Sequence, residues 1–201
     1  VTIAKVVSGT SYTITKVTLQ TLDTLTIDQD GVSVTDSSGQ LKQTATSTTT
    51  VSIPILPSAW RVHDAVATNL PATAASDDLA IINGTDGTAF PSIQTLDFKN
   101  TTTTAYARAY LALPPNYVAG SDVTIRVVGG MTTTVASTSC TVDLTVYSND
   151  GDATGSADIC ATAAQSINSL TFGNKDFTIT PTGLVAGQLL NVRMVIAGVD
   201  S

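Results

Sequence analysis

Strict alternation of apolar and polar residues runs through the second half of the chain. Ala105, Ala107, Ala109, Leu111 and Leu113 share one parity, and Tyr106, Arg108 and Tyr110 take the other, until Pro114-Pro115-Asn116 stops the run. Val123, Ile125 and Val127 alternate with Thr124, Arg126 and Val128, up to Gly129-Gly130. Cys140, Val142, Leu144 and Val146 alternate with Thr141, Asp143, Thr145 and Tyr147. Leu190, Val192, Met194 and Ile196 alternate with Asn191, Arg193 and Val195. Successive strand residues point to opposite faces, so each run predicts a strand with one buried side. Leu170 and Phe172, then Phe177 and Ile179, predict two short strands around Gly173-Asn174.

The middle of the chain is less regular. Val51 to Pro57 is apolar but interrupted by Pro54 and Pro57, which predicts an edge strand or an extended segment. Ala59 to Thr68 reads as a strand with Trp60, Val62, Asp64 and Val66 on one face. Leu79 to Ile82 is a short apolar run after Ser76-Asp77-Asp78, and Asn83-Gly84 and Asp86-Gly87 are turn dipeptides. Nearer the start, Tyr12 to Leu19, Thr24 to Ile27 and Val32 to Thr35 are rich in strand formers, separated by turns at Asp28-Gln29-Asp30-Gly31 and Asp36-Ser37-Ser38-Gly39. Residues 40–50 lose apolar periodicity and read as a linker or an extended edge strand.

Several turn-bounded strands in a row indicate an all-β, antiparallel two-sheet sandwich, with long uneven loops that favour a jelly-roll-like topology. The expected organisation is an N-terminal β-rich arm and linker over 1–50 and a sandwich body over 51–201. Composition agrees. Thirty-six threonines supply the polarity that charged residues, at 12%, do not, and threonine is stiff at χ1 and suits a pleated surface.

Charge narrows the partners. The net charge is −7, and the nine Lys and Arg are scattered, so no basic footprint exists for nucleic acid or an anionic membrane. No run of 18 apolar residues is present to span a bilayer. The opening VTIAKVVSGTSY lacks the features of a signal peptide.

Candidate chemistry is sparse. His63 is the only histidine. On a strand it and Asp64 would point to opposite faces, so adjacency makes no dyad. Asp77-Asp78 is the one tight acidic pair, and Trp60 reads as a core anchor or interface knob rather than a sugar platform. Asn149-Asp150-Gly151-Asp152 and Asp28-Gln29-Asp30-Gly31 crowd acidic oxygens as calcium loops do, but ordinary turns have the same composition. Asn83-Gly84-Thr85 and Asn100-Thr101-Thr102 match the glycosylation acceptor pattern, which a threonine-rich chain produces by chance. Val128-Gly129-Gly130-Met131 opens no helix, so it makes no phosphate loop. Cys140 is in phase with the core residues of its run, as a small hydrophobe; a hairpin centred near Asp150 would instead face it with Cys160, in position for a disulfide. The expectation is a non-enzymatic protein with no catalytic residues, no metal site and no cofactor.

The stretch from Trp60 to Ile196 resembles a group of tailed-phage virion proteins with a jelly-roll-like sandwich. The likeness is carried by Arg61-Val62-His63-Asp64-Ala65, by Asn69-Leu70-Pro71-Ala72 leading into Ser76-Asp77-Asp78-Leu79, and by Leu113-Pro114-Pro115-Asn116-Tyr117-Val118-Ala119-Gly120. Val123-Thr124-Ile125-Arg126, Gly130-Met131, Ser156 to Thr162, Asn168 to Phe172 and Lys175-Asp176-Phe177 complete it. The resemblance implies a capsid cement or decoration protein that binds the major capsid protein on the outside of the shell as a homotrimer, in a virion assembled in the bacterial cytoplasm. A tail, fibre or receptor-binding module is the alternative. Residues 1–50 lie outside the resemblance.

Overall fold

The structure, a computed structural model, describes residues 34–35, 41–42, 50–82, 84, 90–149 and 155–201. The chain divides into two compact units, Val1–Val51 and Ser52–Ser201. In the first, β1 (Val34–Thr35) pairs antiparallel with β2 (Leu41–Lys42), Val34 opposite Lys42 and Thr35 opposite Leu41. The expected strands at Tyr12–Leu19 and Thr24–Ile27 lie outside the described residues.

The second unit is an antiparallel β-sandwich, and its described residues contain no α-helix. Its main sheet has the order β5 (Thr102–Ala112), β10 (Leu189–Val199), β7 (Ser139–Ser148), β8 (Gln165–Ser166). A second sheet pairs β6 (Val123–Gly129) with β9 (Gly173–Ile179), and a small hairpin pairs β3 (Ala80–Ile82) with β4 (Ser92–Gln94). From β5 onward the chain passes between the two larger sheets at almost every connection, as jelly-roll-like sandwiches do.

Register explains the core. Across the main sheet, Val192 of β10 faces Ala109 on one side and Val146 on the other, Met194 faces Ala107 and Leu144, and Ile196 faces Ala105 and Val142. The alternating runs thus fall into rows on one face, and nearly every member is buried. Ile125, Phe177 and Ile179 from the second sheet close the other side of the same apolar cluster. Each large aliphatic or aromatic side chain buried this way contributes about 1.5–3 kcal/mol. The alanines of β5 are small, and Trp60, Val62 and Leu79 belong to the same cluster.

Three expectations fail here. Ala59–Thr68 is not a strand. Pro57–Ala59 forms a 3-10 turn, and reverse-turn bonds from Ala65 N–H to the Val62 carbonyl and from Thr68 N–H to the Ala65 carbonyl fold the chain back, so that Arg61 bridges both Asn69 and Arg108. Trp60 and Val62 are buried while Asp64 and Val66 are exposed, so the four share no face. Leu170 and Phe172 are exposed and lie outside any strand, because Ser169 holds a turn: its carbonyl accepts from Met131 N–H and its hydroxyl from Thr171 N–H. Gly173-Asn174 then opens β9 rather than separating two strands.

The cysteine pairing also fails. Asn149 bridges Gly155, which centres the reversal beyond Asp150, and Ile159 N–H bonds the Val146 carbonyl. Cys140 therefore lies beside Ile167, whose N–H it accepts, and both cysteines are free thiols.

Candidate functional site

The only histidine sits in a cluster that the turn after Val62 creates. Arg61 bonds Arg108 through both backbone groups, which carries residues 61–63 along the free edge of β5. Further on, Asp78 makes a parallel bridge to Tyr106, and the Ala75–Asp78 turn holds Ser76 in the left-handed region, at φ 55. Two segments fifteen residues apart in sequence thereby meet beside Tyr106.

The imidazole of His63 stacks on the Tyr106 ring at 4.7 Å between centroids. Each of its nitrogens faces a carboxylate at 3.7 Å, Nε2 toward Asp77 Oδ2 and Nδ1 toward Asp78 Oδ1. Both distances exceed a hydrogen bond. Among the described residues His63 Nδ1 and Asp78 Oδ1 are buried atoms without a hydrogen-bond partner. One ligand-type atom from each of His63, Asp64 and Asp78 lies within 4.8 Å of the others. Asp64 thus stands close to His63, because the segment is bent rather than extended; opposite strand faces do not separate them. Asp77 and Asp78 differ in setting, the first exposed and the second half-buried.

The outer face of the main sheet continues from this cluster. Arg193 lies directly opposite Arg108. Like charges in that position repel, and Arg193 is held by its guanidinium over the Tyr106 ring, at 5.8 Å to the centroid, and by donation to Thr145 Oγ1.

The second sheet offers a different feature. Strand β6 pairs with β9 on one side only, and among the described residues no backbone group of Val123–Gly129 bonds a partner on its other edge. Near its end, Val128 is 62% exposed, and exposed Phe172, just before β9, packs beside Gly130. The far side of β9 is partly covered, since Cys160 bridges Ile179.

The remaining candidates separate. Trp60 is a buried member of the core. It also borders an open depression lined by Pro57, Arg61, Asn69 and Leu70. Asp150, Asp152, the Asp28–Gly31 turn, Asn83 and Thr85 lie outside the described residues. Asn100 sits in a left-handed turn at φ 56, its N–H donating to Asp200. Burial pushes both the Cys140 and Cys160 thiols up, which keeps them protonated and poorly nucleophilic. On the exposed face of the second sheet, Arg126 makes a two-pronged pair with Asp176; their mutual hydrogen bonding raises the guanidinium and lowers the carboxyl. Sequence reasoning saw His63, Asp64 and Asp78 but not their meeting, because that depends on two turns and a parallel bridge.

Comparison with protein-family models, with curated proteins and with solved structures finds no match.

Proposed function

We propose that this protein acts by being built into a larger assembly, as a cement or decoration protein on the outside of a phage capsid shell. The observation that carries the assembly reading is the open edge of β6, in a sheet that also exposes the apolar Val128 and, toward its β9 side, Phe172. An unpaired strand edge is a template for strand addition, and apolar side chains next to it supply the burial that backbone bonding alone lacks. In the trimer the β6 edge of each copy meets a different surface of the next, so that three such contacts close a ring, and the major capsid protein is the second partner. The acidic balance, −7, disfavours adhesion to DNA. The phage setting rests on the likeness of Trp60–Ile196 described above.

Light scattering on the full chain over a concentration series, followed by binding to assembled shells of the major capsid protein, tests this reading. A trimer that decorates shells in many copies is expected. A strict monomer that ignores shells overturns it, and a few copies at a tail would move the protein to the tail or fibre class.

A further inference from the structure

The cluster around His63 has the makings of a cation site. A transition-metal ion bound by imidazole and carboxylates sits about 2.0–2.2 Å from each donor, so donors on opposite sides of it stand about 4.4 Å apart at most. His63, Asp64 and Asp78 bring three donor atoms within 4.8 Å, and Asp64 is exposed on a bend where its side chain has room to close the gap.

Two further observations point to a ligand. His63 Nδ1 and Asp78 Oδ1 are buried and face each other at 3.7 Å with no hydrogen-bond partner among the described residues. A buried donor or acceptor left unmade is costly, and an ion between these two atoms would satisfy both. On the other side of the ring, Nε2 faces the Asp77 carboxylate at 3.7 Å. Metal-bound histidines donate their second N–H to a carboxylate that fixes the ring and raises its basicity; Asp77, which is exposed, completes that arrangement by moving closer to Nε2. Stacking on Tyr106 holds the same orientation.

We propose that His63, Asp64 and Asp78 bind one first-row divalent transition-metal ion, with Asp77 positioning the imidazole. The nitrogen donor favours zinc, copper, nickel or cobalt over calcium, which prefers oxygen. The ion would staple the Val62–Thr68 turn to the Ala75–Asp78 turn where both cover the edge of β5. This role is independent of the assembly reading.

The test uses the full chain, stripped with chelator and exchanged into metal-free buffer. Zn²⁺, Ni²⁺ and Co²⁺ are titrated by calorimetry and thermal melting, with Ca²⁺ as control. One ion per chain is expected, with a rise in Tm and visible Co²⁺ absorption. His63→Gln and Asp78→Asn each lose at least tenfold in Zn²⁺ affinity and abolish the Co²⁺ bands. Asp77→Asn keeps the bands and loses about 10-fold, the lower end of what loss of a ligand-orienting group costs. Far-ultraviolet circular dichroism confirms that each variant is folded. No binding by any transition metal overturns the proposal. So does binding that is unchanged in both His63→Gln and Asp78→Asn, which would place the ion on other acidic groups.

Discussion

Phe98 rests on Gly198 of β10 so closely that a methyl group there would come within 2.5 Å of the ring. The glycine is a notch cut into the central strand to receive an aromatic side chain from a loop. Gly198→Ala must push a buried ring aside, and overpacking of this kind costs about 1–3 kcal/mol. Urea unfolding of the variant is expected to show that loss with an unchanged slope. The contact was not legible in the sequence. Alternation assigns Gly198 to a face, but nothing local says that residue 98 lands on it. Cys140 shows the opposite case: its phase with Val142 and Leu144 correctly placed it in the core, while its pairing partner depended on where a distant turn reversed.

Among the elements, β5, β6, β7 and β10 were readable because each is long enough for its period to stand out and has one buried face. Strands β4 and β8, of three and two residues, carry no period and escaped notice. Residues 59–68 misled for a physical reason: alternation was present, but Pro57 and two reverse turns set the backbone instead. The His63 cluster is a product of those turns, since a strand would keep Asp64 away. Strand β6 yields a prediction of its own. Val128 is exposed, so Val128→Lys should leave stability within about 0.5 kcal/mol, while placing a charge on an open edge blocks strand addition. Self-association measured by light scattering should therefore fall as circular dichroism and Tm stay constant. Loss of fold, or unchanged association, would count against the edge as the contact.

For the whole molecule, the larger source of acid sensitivity among the described residues lies just past β10, at Asp200, with the Arg126-paired Asp176 as a second. The Asp200 carboxylate accepts N–H groups from Asn100 and Ser137, which joins two loops to the end of β10 and lowers its pKa from the ordinary 3.8 to about 2. The folded state binds that proton less readily than the unfolded state, so the group stabilises the fold above about pH 4. The contribution fades as pH falls from about 4 to 2. Asp200→Asn should be less stable than the wild type at neutral pH, and the difference should shrink across that acid range when unfolding is followed by denaturant at each pH. A gap that stays constant to pH 2 would refute this assignment. Fold class was the most legible property at this scale, since threonine, valine and a two-residue period leave little alternative to a sandwich. The site was the least legible, because its residues meet only after the sheets have formed.

The order of strands in the main sheet has a consequence for synthesis. Strand β10 lies between β5 and β7, yet it is the last of the three to be made. While the nascent chain is emerging from the ribosome, β5 and β7 have no shared partner and must wait with their bonding edges bare. The main sheet closes only after residue 199 has cleared the exit tunnel. A chain stalled before residue 189 would present two long strands to its neighbours, and the period of greatest aggregation risk falls between the emergence of β7 and that of β10.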